Sequence, residues 1–175
     1  DDPNRARKST NMLPQRFSPS LLAELYELEE DAYRLAIREA KRIGSGPPAA
    51  ALRAVAAHAN EALDELPKKA KERHVRLGSL GALALDTLHR LRDIAIDPFV
   101  DHEHAYRNAL TALHRGMDLV RVALAAAREE GDDGLADWCE RWLFARERLV
   151  GAASDELAWF GRHPLFSRLP GALPT

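Results

Sequence analysis

"SPSLLAELYELEEDAYRLAIREAKRIGSGPP", residues 18–48, contains a helix, its stop and the start of the next helix. Leu21, Leu25, Leu28, Ala32, Leu35 and Ile43 recur at the 3.6-residue spacing of one helix face. Ser18 suits the N-cap, Pro19 the first turn, and Gly44 ends the run. Pro47 and Pro48 then open a second helix. So short a break leaves the chain no option but to fold back, which makes the first two helices antiparallel neighbours.

Working outward, Leu52, Ala56, Ala59, Leu63 and Leu66 hold helical spacing and stay in phase through Ala70 and Leu77 despite Pro67. This predicts one kinked helix, ended by "GSLG" at 78–81. A third helix starts at Asp97-Pro98 and runs to about Glu130, with Phe99, Tyr106, Leu110, Leu113, Met117, Val120 and Leu124 as its stripe. "GDDG" at 131–134 makes a tight connection to a fourth, about Leu135 to Phe160, whose stripe is Leu135, Trp138, Trp142, Ala145, Leu149, Ala152, Ala153 and Phe160. Between the second and third helices lies a long segment with its own amphipathic piece, "ALALDTLHRLRDIAI", 82–96. Short, long, short connections predict an all-α four-helix bundle in which the long crossover lets the middle two helices run parallel. The bundle spans 19–161. Residues 1–18 read as a flexible, mildly basic tail and 162–175 as a C-terminal tail, docked through Leu165 and Phe166.

At this point the chain resembles a family. The helix lengths, the one-crossover order and the opening "ELEEDAYRLAIREA", 27–40, look like the ferritin-like superfamily, over about 18–161. The di-iron site of that family needs a Glu from each of two helices and a Glu-x-x-His from each of the other two. This chain contains no Glu-x-x-His, and its second helix offers only the reversed "HANE", His58 to Glu61. The resemblance therefore implies the fold without the di-iron centre.

Composition excludes several classes. The 175 residues suit one domain. Net charge is −2, with 25 basic residues scattered among 27 acidic ones, so nucleic acid is not an expected partner. No apolar run approaches the roughly 20 residues of a membrane span. The single Cys139 excludes an internal disulfide and fits a reducing, cytoplasmic compartment, and no signal-peptide pattern opens the chain.

Three polar residues fall inside apolar stripes near one bundle end: Glu39 on the first helix, His102 on the third and Glu156 on the fourth, with Tyr106 one turn below His102. Two carboxylates and an imidazole suit a divalent transition metal, or a histidine poised between acids. The competing reading is a structural histidine bonded to Glu or Tyr, with no cofactor at all. His104 and His114 fall outside the stripe and read as surface partners of Asp101 and Asp118; His74 falls in the stripe of the second helix, and His58 and Glu61 point outward. Trp138 and Trp142 read as core anchors, with Cys139 beside them.

A second apolar stripe on the first helix, Leu22, Tyr26, Tyr33 and Ile37, needs a cover. Either the crossover supplies it through Leu83, Leu88, Leu91 and Ile94, or a partner does. Leu143 and Phe144, outside the main stripe of the fourth helix, favour a homodimer. With no phosphate loop or nucleophile motif, the expected function is a non-catalytic bundle that binds itself or another protein. The alternatives are metal binding at Glu39, His102 and Glu156, and a small ligand in the Ala-rich, Trp-lined interior.

Overall fold

A computed structural model describes residues 18–75, 77 and 101–167. Among these there are helices and connections and no strand. Four long helices, α1 (Ser18–Ile43), α2 (Pro47–Glu72), α3 (His102–Glu129) and α4 (Asp133–Asp155), are followed by two short ones, α5 (Leu157–Arg162) and α6 (Pro164–Ser167). Tail residues 1–17 and 168–175 and the amphipathic crossover piece lie outside the described residues.

The long helices pack in a ring, α1 beside α2 and α3, and α4 beside α2 and α3. Cross-helix pairs set their directions. Leu28 meets Gly116, and the charge of Arg42 reaches His102, so α1 and α3 are antiparallel. Glu65 accepts from Trp138, His58 from Arg146, and Arg73 reaches Asp132, so α2 and α4 are antiparallel. It follows that α2 and α3 run the same way at opposite corners.

Local signals explain the helix ends. Gly46 caps α2 with φ 117°, a conformation suited to glycine, ahead of Pro47 and Pro48. Pro67 is exposed and α2 continues across it, but α2 ends at Glu72 rather than running in phase to Leu77. The stop is His74, at φ 57°. The N–H of Val75 donates to Ala70 O and that of His74 to Lys71 O, the paired bonds of a left-handed helix cap. His74 is thus an exposed cap residue and not, as its phase predicts, part of the core stripe. A non-glycine residue pays for this conformation, so His74→Gly is expected to stabilise the fold by about 0.5 to 1 kcal/mol in denaturant unfolding.

Asp101, extended at ψ 162°, caps α3 by accepting from the N–H of His104 at 2.7 Å, so the third helix begins at His102 and not at the expected Asp97-Pro98. Asp132 caps α4, accepting from Leu135, and also receives both arms of Arg73 at 2.5 Å. Arg73 holds the Asp132 carboxyl below the usual carboxylate range. A lowered folded pKa means stability that is present above the unfolded value and lost as pH falls through the folded one. Asp132→Ala should therefore cost about 1 kcal/mol near neutral pH, mostly the lost cap. The difference between variant and parent should close in acid below the Asp132 pKa.

α4 ends earlier than its apolar pattern predicts. The N–H of Glu156 donates to Ala153 O, three residues back, and Ser154 Oγ turns onto Val150 O, so the last turn tightens and the helix breaks before α5. Trp159 and Phe160 then fold over the bundle end, and Phe166 of α6 packs edge-on against Trp159. Leu165 does not dock; it is 87% exposed.

Leu22 is fully buried and belongs to the core, and Tyr26 and Ile37 pack half-buried against it. The stripe expected to face a partner is thus largely used inside the fold, leaving Tyr33 at 37% exposed as its outward member. Leu143 is buried as well, while Phe144 is 66% exposed.

Candidate functional site

The middle of the bundle holds a buried ion pair. Arg146 of α4 donates from Nη2 to Glu29 Oε2 of α1 at 2.6 Å, and both side chains are 1% exposed. The same guanidinium donates from Nε to His58 Nδ1 of α2 at 3.0 Å. It lies 4.5 Å from the ring centroid of Trp142, in cation–π range. Three helices are joined at one level by one side chain.

The electrostatics follow from burial. Desolvation pushes the Glu29 carboxyl up to about 7, against the opposing pull of Arg146 and of the Trp142 N–H. Burial also lowers the Arg146 pKa, with Glu29 pulling it back up. His58 is pushed down to about 4, by burial first and by the Arg146 charge second. It is therefore neutral near pH 7, and since Nδ1 accepts from Arg146, the ring proton sits on Nε2. Glu29 Oε1 and Trp142 Nε1 are buried without a hydrogen bond, so the indole acts on the carboxylate only as a longer contact. Taking such a pair out of water is costly, and neither charge can be left alone inside.

Sequence phasing misses this cluster. It places the α1 stripe on Leu28 and Leu35 and does not weigh Glu29 at all; it places His58 outward, whereas His58 is half-buried on Arg146. The signal was present in the small residues. Glu29 is four residues past Leu25 and three before Ala32, and Arg146 is four from both Trp142 and Val150. Weighting large apolar side chains over alanines rotates the apparent stripe away from the true core line through Leu25, Ala32 and Ala36.

The end-of-bundle residues are placed as follows. Glu39 and His102 are both buried, as their phase predicts. Glu39 is tied to Arg38 at 2.8 Å and lies 3.9 Å from Arg42. His102 rests on Phe166, ring centroids 4.5 Å apart, and burial lowers its pKa. Glu156 sits half-buried at the α4–α5 break, where its charge adds to the burial that raises the Tyr106 pKa. Tyr106 itself donates to Ala153 O at 2.7 Å. The three expected ligands share an end but do not gather: among the described residues no group of three or more His, Cys, Asp or Glu could hold a metal ion. Glu39 is committed to arginines, and Glu156 is near the tyrosine.

Other reactive candidates are quiet. Cys139 is fully buried, and desolvation pushes its thiol up to about 12. Two surface depressions, one between Asp101 and Ser167 and one beside Pro67 and His74, are wide open to solvent. Trp138 and Trp142 are core residues, as expected, and Trp138 also donates to Glu65 at 2.6 Å. Among the described residues no helix is long and apolar enough to cross a membrane.

Compared with known proteins, the chain matches no family model, no curated protein and no solved structure.

Proposed function

We propose that the protein is a non-catalytic helical scaffold of ferritin-like architecture that lacks a di-iron centre and acts by binding a second copy of itself or another protein. The observation that carries this reading is the Glu29–Arg146 pair. Proteins of the resembled family keep inward carboxylates and histidines in the bundle core for metal. Here one inward carboxylate and one histidine at mid-bundle are both engaged by a guanidinium, which supplies the positive charge itself and repels any other cation. The common direction of α2 and α3 supports the one-crossover order. With a single cysteine the fold calls for no oxidising compartment, which suits a cytoplasmic setting.

Two measurements on untagged full-length protein test the proposal. Elemental analysis should find no stoichiometric iron, manganese or zinc. Sedimentation equilibrium should give a mass above the 19.5 kDa of one chain, alone or with its partner, that falls when Tyr33 and Phe144 are replaced by Ser. Stoichiometric metal that disappears in His102→Ala would overturn the metal-free reading. A mass that stays the same in the Ser variants would remove those two residues from the interface.

A further inference from the structure

His102 and Glu39, at the end of the bundle away from Asp132, are 5% and 4% exposed. His102 Nδ1 lies 3.2 Å from the carbonyl of Phe166. A carbonyl only accepts, so Nδ1 carries the proton and the neutral ring presents a lone pair at Nε2. That lone pair is buried and meets no donor. Glu39 is in the same position on its second oxygen. Oε1 is held by Arg38 Nε at 2.8 Å, while Oε2 is buried without a hydrogen bond, its distance of 3.9 Å to Arg42 Nη1 being too long for one. Glu39 lies in the last turns of α1 and His102 is the first residue of the antiparallel α3, so both stand at the same end of the bundle. Two acceptors, on α1 and α3, thus face the interior of one bundle end with no donor for either. Native interiors rarely leave such groups unsatisfied.

We propose that this end of the bundle is a binding site for a small uncharged hydrogen-bond donor, a water molecule, held between Glu39 Oε2 and His102 Nε2 beneath Phe166. A cation fits less well. Arg38 and Arg42 already neutralise Glu39, and no third ligand joins the two. A water supplies both missing protons, and buried waters of this kind typically make about three hydrogen bonds. The molecule links α1 to α3 and, because His102 also holds Phe166, links both to the C-terminal α6. Retention of α6 then depends on Glu39, which α6 does not touch among the described hydrogen bonds.

Nitrogen-15 NMR of the full-length protein tests this. The expected result is a neutral His102 protonated at Nδ1, an Nε2 resonance shifted as for a hydrogen-bonded acceptor, and a water cross-peak to the ring proton between the nitrogens. Glu39→Leu should abolish that cross-peak and loosen the Phe166 resonances. Glu39→Gln, whose amide can donate to the ring directly, should keep Phe166 in place. A ring protonated at Nε2, or an Nε2 shift of a bare lone pair with no water contact, would overturn the proposal. So would displacement of the His102 resonances by one equivalent of zinc, since the site would then take a cation. The wild-type spectrum decides by itself if the Leu variant fails to fold.

Discussion

Replacing Arg146 with methionine is expected to lower the stability of the bundle by about 3 to 5 kcal/mol, the usual cost of leaving one buried charge without its partner. Methionine roughly fills the space of the stem, so the loss reports Glu29, which without the arginine is left unpaired and must take up a proton to stay inside, more than a cavity. In a domain of this size the expected fall in Tm is on the order of 10 °C. His58 loses its donor too, but it is half-buried and water can replace the bond. The double variant Glu29→Leu, Arg146→Met should recover most of the loss, because removing both charges removes the desolvation cost along with the attraction. Urea unfolding of the two singles and the double forms a cycle. A double variant as unstable as the single would mean that the pair is a net stabiliser, contrary to the argument here. The double variant also reports on specificity. The pair joins α1 to α4, which stand at opposite corners of the ring. A more stable but less uniquely packed product, seen as broadened amide spectra, would show that the charges select the arrangement of helices.

The second large effect separates a core residue from a surface one on the same stripe. Leu22→Ala should cost about 2 to 5 kcal/mol, since Leu22 is fully buried and its removal leaves a cavity among packed helices. Tyr33→Ser, eleven residues on, should change stability by less than about 0.5 kcal/mol, because Tyr33 is exposed and makes no described hydrogen bond. Chemical denaturation at a fixed low protein concentration measures both without confusing stability with association. Near-equal losses would return Leu22 and Tyr33 to a common role and would contradict the division of the stripe seen here.

Much of this protein was legible from spacing. The short break at "GSG" and the tight "GDDG" turn define two antiparallel hairpins, whereas the cap of the third helix is Asp101 and not the Asp97 that its proline neighbour suggests. The inward placement of Glu39 and His102 was legible for the same reason: a residue three or four positions from apolar neighbours on both sides shares their face. Elements that depend on one turn of chain are determined by that turn. Where the reading failed locally, at His74, the reason is that a histidine in a left-handed cap carries no spacing signal; only the two backbone bonds to Ala70 and Lys71 reveal it.

The tertiary structure decided the rest, because contact between helices depends on rotation about each axis, and a small error in that rotation changes which residue faces inward. Glu29 stands one position from Leu28, a step of 100°. Alanines at 32, 36 and 40 define the true inner line of α1 but contribute little to an apolar pattern weighted by size. Whether Glu39, His102 and Glu156 meet was likewise undecidable from the chain alone. Their helices carry them to one end, but Arg38 takes one carboxylate, and the other sits half-buried at the break before α5. The sequence by itself determined the four long helices and the hairpin pairing, since these arise from neighbours along the chain. Only the folded bundle determined that Arg146 finds Glu29 from 117 residues away, because a buried charge chooses its partner by position in space.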